Sequence, residues 1–367
     1  MLYTPMGSKM APLHSKLSQE ASLALLQSLV EIPSWSGQEK EAADFLEDYL
    51  KELGLHPKRA GNNIWVMPAN FSDGKPNVLL NGHIDTVQPS GPWSCDPHQA
   101  IEYGDKIYGL GANDAGAALV CLLNAFLHFL DRDMPFNLIF SATAEEETGG
   151  ENGIRSILDA LPEISLGIIG EPTEMNMAVA ERGLLVIDGE STGTVRHAAL
   201  DNPDNAIINA LRDLNKLEGF CFDKQSPFLG KVHITVSRIH AGKQHNVTPA
   251  SCHFVLDIRL NEHYSPREAW EILQRKMNAT LRARSLDKKA SAIPPGNTIV
   301  ESARQLKIPC YGSNTLSNMA CVAFPCVKIG PGVSARSHRP DEFICRSEIN
   351  TANQQYIRLI NQYISLL

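Results

Sequence analysis

The sequence predicts an α/β chain: a domain with a largely parallel sheet flanked by helices, interrupted by an inserted α+β unit. Three observations carry this. Up to about residue 180, short apolar runs of strand character alternate with helical periods, the pattern of strands joined through crossover helices. From there to about residue 290 the strands lengthen, alternate apolar with polar residues, and helices become few. The first rhythm then returns. The expected organisation is a discontinuous domain over residues 11–179 and 291–367, with a lid or dimerisation domain inserted at 180–290. A chain of 367 residues, 43% hydrophobic and 20% charged, has the material for a sizeable core.

Taken in order, helical periodicity opens at Ala21–Glu31 and recurs at Gln38–Leu53, where Ala42, Phe45, Leu46, Tyr49, Leu50 and Leu53 share one face. Asn63–Met67 and Asn77–Leu80 read as strands, Gly116–Leu130 as a long apolar helix, Asn137–Ser141 as a strand, Asn152–Leu161 as a shorter helix and Leu166–Ile169 as a buried strand. Within the insertion, Leu184–Glu190, Lys231–Ile239 and Cys252–Leu260 read as strands, the second through alternating Val232, Ile234 and Val236. Pro203–Leu217 and Pro266–Arg282 read as helices. Cys326–Ile329 is a further buried strand, and Arg346–Leu366 closes the chain as a helix. There is no internal repeat and no low-complexity tract. The opening Met1 to Met10 enters none of this reasoning.

Bulk properties narrow the class of function. A formal net charge of −8 argues against nucleic acid and anionic membrane as partners. No apolar run approaches the ~18 residues of a membrane span, and the first residues lack the charge, apolar run and cleavage site of a secretory signal. The eight cysteines contain no Cys-x-x-Cys pair and are too sparse for a disulfide framework. Reduced thiols and a cytoplasmic location are the expectation.

The chemistry concentrates at strand ends. His83 and Asp85 follow the Asn77–Leu80 strand, Glu145, Glu146 and Glu147 follow Asn137–Ser141, and Glu171 follows Leu166–Ile169. Open α/β sheets bind ligands beyond the carboxyl ends of their strands, so three strands deliver imidazole or carboxylate to one rim. Asp114, in the Gly-rich turn 109–116, and His338, after the late strand, add two more groups. Imidazole mixed with carboxylate suits zinc and its neighbours, whereas an all-oxygen set would suit magnesium or calcium. A carboxylate shared between two ions is the economical bridge, and an Asp in a Gly-flanked turn suits that task. Singly, each feature is commonplace: carboxylates favour helix starts and Gly-rich segments are mostly turns. Their joint placement distinguishes them. Asp85, two residues from His83 on an extended segment, is placed to accept the imidazole N–H. Chemistry alone does not choose among Glu145, Glu146 and Glu147.

These residues resemble the family of dizinc amidohydrolases and exopeptidases that contains acetylornithine deacetylase, succinyl-diaminopimelate desuccinylase, aminoacylase and carboxypeptidase G. The resemblance spans Ser18 to Leu366 and is carried by Gly82-His83-Ile84-Asp85-Thr86-Val87, by Gly109-x-Gly-x-Asn-Asp114-x-Gly116, by Thr143-Ala-Glu-Glu-Glu147-Thr-Gly149, by Gly170-Glu171-Pro172-Thr173 and by Ser337-His338-x-Pro-Asp-Glu342. It implies that His83 and Glu171 hold one zinc, Glu147 and His338 the other, that Asp114 bridges them, and that Glu146 is the general base. Cobalt or manganese are the expected substitutes for zinc. It further implies a cis peptide at Asp114–Ala115, a homodimer in which His197 reaches the neighbouring active site, and Asn246 and Arg259 as ligands for a substrate carboxylate, with Arg182 a further candidate. Two departures bear on the subfamily: Ala115-Gly116 follows the bridging Asp where many relatives have Lys, and the lid motif has Leu200 and only later Pro203. The resemblance is greatest to acetylornithine deacetylase. That implies a small N-acylated amino acid as substrate and a place in arginine biosynthesis. A desuccinylase, a dipeptidase or carboxypeptidase of the same fold, and a non-catalytic binding protein are the competing readings.

Overall fold

A computed structural model describes residues 17–367; the opening residues Met1 to Met10 lie outside them. The chain divides into two compact units, residues 17–177 with 294–310 and 322–367, and residues 178–293 with 311–321. Residues 311–321, expected in the first domain, belong to the second unit.

The first unit is built on a mixed sheet. Six of its described strands lie in the order Lys58–Ala60, Asn63–Val66, Asn137–Thr143, Asn77–His83, Leu166–Ile169, Cys326–Lys328. The last four run parallel to one another, and the first two are an antiparallel edge. The strands Asn77–His83 and Asn137–Thr143 are buried along their whole length, as expected of parallel strands covered on both faces. Helices Gln19–Val30, Lys40–Glu52, Ala117–Phe129, Thr298–Gln305 and Arg346–Ser365 flank them.

Amphipathic Lys40–Glu52 buries Ala42, Ala43, Leu46 and Leu50 and leaves its charges outward. Ala117–Phe129 is apolar but for Asn124 and His128. With the turn before it, and against the expectation of no such run, Ala112–Phe129 has the length and mean hydropathy, 1.2, of a membrane span. It is 89% buried, so the structure uses it as the central core helix. Gly82 lets this helix approach: a Cβ there would meet Leu119 at 2.9 Å.

In the second unit the strands His233–Ala241, Ser251–Leu260, Gly183–Thr192 and Thr280–Ala283 form an antiparallel sheet in that order. Alternate residues Leu185, Ile187, Phe254, Leu256 and Ile258 point into a core shared with Ala206 and Ala210 of helix Ala206–Asn215 and Ala269 and Leu273 of helix Pro266–Lys276.

Candidate metal centre

The four parallel strands of the first unit stop at nearly the same level. His83 lies opposite Thr143, Asn81 opposite Ile169, and Ile169 opposite Lys328. Whatever follows each strand therefore reaches one rim, the edge where such sheets bind ligands. There the structure brings together His83, Asp114 and Glu171 as one group, and Asp114, Glu147 and His338 as a second, with the ligand atoms of each group within 4.8 Å of one another. Asp114 belongs to both. Its Oδ1 lies 3.4 Å from Nε2 of His83 and its Oδ2 lies 3.5 Å from Nε2 of His338. His338 Nε2 also lies 2.8 Å from Glu147 Oε2.

Local structure fixes these positions. Gly111, with φ 80°, turns the chain into Asp114, and the Asp114–Ala115 peptide is cis. Glu342 Oε1 accepts the N–H groups of Asn113 and Asp114 at 2.9 and 3.0 Å. Asn113 ties this turn to the His338 loop by accepting the Val333 N–H and donating to the Val333 carbonyl and Ser337 hydroxyl. His338 itself sits at φ 60°, a backbone conformation that costs about 1–3 kcal/mol in a non-glycine residue and persists only where its surroundings hold it.

Asp85 does more than the sequence suggested, and by a different contact. The nearer acceptor for His83 Nδ1 is the backbone carbonyl of Asp85, at 2.9 Å, with the carboxylate at 3.5 Å. That carbonyl fixes the imidazole so that Nε2 faces the cluster. The Asp85 carboxylate instead accepts the N–H groups of Glu146 and Glu147, at 3.0 and 3.1 Å, and the Ser36 hydroxyl at 2.7 Å.

The electrostatics are those of a site with too much negative charge. Burial and then Asp114 push the Glu171 carboxyl up to about 8, and the same two causes push Glu342 up to about 8. Burial and then Glu171 hold Glu146 well above the usual carboxylate range, and burial raises Glu147. The hydrogen bond to Glu147 lifts His338 to about 9. For His83, burial opposes protonation, but Asp114 and Asp85 outweigh it. Buried His83 Nε2 and Glu171 Oε1 have no hydrogen-bond partner among the described residues. Two such atoms, directed at a shared carboxylate, fit cations: a divalent ion satisfies both and relieves the repulsion that raises the carboxyls.

The remaining expected site residues belong to the second unit. Exposed His197 lies on the short antiparallel pair Arg196–His197 and Val247–Thr248, its Nδ1 accepting the Ala199 N–H. Asn246 is exposed beside it, its carbonyl accepting the Ala198 N–H. Two expectations meet prior engagements. Arg259 is clamped by both oxygens of Asp257, at 2.7 and 3.1 Å. Arg182 spends its guanidinium on Asn314 Oδ1 and on the carbonyls of Leu229, Lys231 and Arg259. In this structure Arg182 thus braces its own unit, through one side-chain and three main-chain acceptors. A cavity of about 510 Å³ in the same unit is lined by His240, Lys243, Ser251 and His253, none of which the sequence singled out. Ser36 and Glu342 were also missed as contributors. Glu342 lay in a recognised motif, but nothing in the sequence marks Ser36.

The model of the family described as Peptidase family M20/M25/M40 matches residues 79–362. A probable carboxypeptidase of Aspergillus terreus is 29% identical over 287 residues, which cover 71% of this chain and 64% of that protein. A succinyl-diaminopimelate desuccinylase of Orientia tsutsugamushi is 28% identical over 284 residues, 71% of this chain and 72% of its own. An acetylornithine deacetylase of Buchnera aphidicola is 25% identical over 373 residues, 93% and 97% of the two chains. Among solved structures, aminopeptidase PepT of Bacillus cereus superposes with a TM-score of 0.75 at 18% identity, covering 95% of this chain and all of that one, which shows a shared fold.

Proposed function

The chain belongs to peptidase family M20/M25/M40 and is a hydrolase of that family, and we propose that it removes the acyl group from an N-acylated amino acid by cleaving the amide bond. The observation that carries this is the sharing of Asp114 by two imidazole–carboxylate groups on the rim of one sheet. His83 and Glu171 would hold one metal ion, Glu147 and His338 a second, and Asp114 both; zinc suits this donor set, with cobalt or manganese able to replace it. When bound, the ions supply Lewis acidity, making a water acidic near neutral pH and polarising an amide carbonyl.

The chain's own residues do the rest. Glu146, next to Glu147 in the turn and a member of neither group, would take a proton from water and return it to the leaving nitrogen. Asp85 holds the backbone of the Glu146–Glu147 turn, so that proton carrier and metal-holding carboxylate are fixed by one anchor. A homodimer is part of this proposal: exposed His197 would serve the acyl oxygen in the neighbouring subunit's site, and Asn246 and Arg259 the amino-acid carboxylate.

Acetyl is the proposed acyl group and an acetylornithine deacetylase-like step of arginine biosynthesis the proposed place. A succinyl group brings a second carboxylate that needs a further cationic partner, for which Arg182 and Arg336 are the candidates; what supports acetyl is that both are already engaged. Arg182 is engaged as described, and Arg336 donates to Glu348 at 2.7 Å. The desuccinylase reading is favoured by the relatives of that name, so the assay must separate the two. Metal-loaded protein is expected to hydrolyse N-acetylornithine faster than N-succinyl-ornithine. Glu146→Gln is expected to lower kcat by about 10²–10⁴-fold with metal content unchanged. Equal inertness towards both substrates would remove the arginine-pathway reading, and an undiminished Glu146→Gln would remove the mechanism.

A further inference from the structure

The Asn137–Thr143 strand ends one residue before the segment that carries the site, and from there the backbone has no sheet partner to hold it. Four successive N–H groups are captured instead by side chains from elsewhere. The Ala144 N–H goes to Asn63 Oδ1 at 2.9 Å, Glu145 to Glu39 Oε1 at 3.2 Å, Glu146 to Asp85 Oδ1 at 3.0 Å and Glu147 to Asp85 Oδ2 at 3.1 Å. Asn63 and Asp85 stand on or just after neighbouring strands. Glu39 is different. It occupies the N-cap of helix Lys40–Glu52, where a side chain would ordinarily accept from its own helix, yet it makes no such bond. Its side chain turns away into the protein, is 0% exposed, and forms no ion pair among the described residues.

A buried carboxylate without a cation is strongly destabilising unless hydrogen-bond donors replace water. Glu39 has three: the N–H groups of Gly37, at 2.6 Å, and Glu145 on Oε1, and the Asn62 side-chain amide, at 3.0 Å, on Oε2. The positive end of the 13-residue helix it precedes adds to them. Of these donors, the Glu145 N–H is the one that leads to the site. Glu145 sits at φ 52°, and the turn is closed behind it by the Gly149 and Gly150 N–H groups bonding to the carbonyls of Glu146 and Glu145. The Glu39 carboxylate therefore pins the first residue of a strained turn whose next two residues are Glu146 and Glu147.

We infer that Glu39 is a positioning residue: from a different segment of the chain it holds the Glu145–Glu147 turn in the conformation that aims Glu146 and Glu147 at the cluster. The consequence for catalysis rests on the reading of Glu146 as the proton carrier; the consequence for the backbone does not. The experiment reads both. Hydrogen exchange on peptides spanning Ala144–Gly150 is measured in metal-free wild type, Glu39→Gln and Glu39→Met, with Asn77–His83 as the internal reference for folding. kcat and KM are measured on each protein at equal bound metal. Gln keeps an oxygen where Oε1 stands; Met keeps the length and removes both acceptors.

The expected result is exchange in Ala144–Gly150 at least about tenfold faster in Glu39→Met, with the reference strand unchanged. kcat should then fall about 10–100-fold at a KM within about twofold, with Glu39→Gln restoring most of both. Should Glu39→Met not fold, Glu39→Asp, which keeps the charge but shortens the reach, is expected to show the same loosening and the same fall in kcat. Wild-type exchange in the turn of the folded variants would overturn the inference, as would a kcat that tracks only the amount of folded protein. Loosened exchange beside a fully active Glu146→Gln would instead leave the positioning intact and remove the proton-carrier reading.

Discussion

Glu145, Glu146 and Glu147 are neighbours in the chain with three different tasks. The Glu145 carboxylate accepts the N–H and side-chain amide of Asn152, at 3.1 and 2.8 Å, and braces the turn. Glu147 meets His338. Glu146 is left to the cluster. Three identical residues in a row offer no chemical difference from which sequence could choose; only the turn separates them. The five clustered side chains were legible because each follows a strand or a Gly-rich turn. Arg182 and Arg259 are harder to read from sequence, because a guanidinium looks the same whether it meets a substrate, an Asp257 carboxylate or a main-chain carbonyl. Glu39 was illegible for a related reason, since an acid at a helix start normally serves that helix. The raised carboxyls give a prediction at this scale. Glu171 and Glu342 move from the usual 4.5 up to about 8, and His338 from 6.5 up to about 9. A folded-state pKa above the unfolded value stabilises below the unfolded pKa, and that contribution is lost as pH rises through the folded one. Metal-free protein is therefore expected to lose stability from about pH 5 towards pH 9 in denaturant titrations. Metal-loaded protein is expected to gain over the lower part of that range, because the ions bind the deprotonated ligands. A metal-free protein whose midpoint rose steadily from pH 5 to 9 would contradict this electrostatic account.

At the scale of elements, helices with a clear apolar face were read correctly to within a few residues, as at Lys40–Glu52 and Arg346–Ser365. The exceptions have physical causes. The expected helix Pro266–Arg282 is a helix only to Lys276; it opens with a Ser265–Glu268 capping box, and Met277 then turns extended. Thr280–Ala283 pairs with Gly183–Thr192, so a tertiary ladder overrides local helical preference. The expected helix Asn152–Leu161 is a 3₁₀ segment, Ile154–Ala160. The strand-to-helix contact beneath His83 yields a second prediction. A Cβ at position 82 would meet Leu119 Cδ1 at 2.9 Å and its backbone Cα at 3.1 Å, so strand or helix must shift. Gly82→Ala is expected to destabilise the protein by about 1–3 kcal/mol in denaturant melts and to weaken metal binding through the adjacent His83. An unchanged midpoint would show that the contact is looser than this.

At the scale of the whole molecule, the order of the motifs revealed more than any element did. Residues between 83 and 338 form one cluster within one unit because four parallel strands end at a common level. The sequence showed the alternation that produces such a sheet, but not the return of 311–321 to the second unit, since its short strand Cys310–Ser313 has no pattern of its own. The central claim is that Asp114 is shared by two metal ions. Diffraction from crystals of the zinc-loaded protein, recorded on both sides of the zinc absorption edge, tests it most directly. The account predicts two anomalous peaks about 3.5–4 Å apart, one against each oxygen of Asp114, the first beside His83 and Glu171 and the second beside Glu147 and His338. A single peak, or zinc bound away from Asp114, would contradict it.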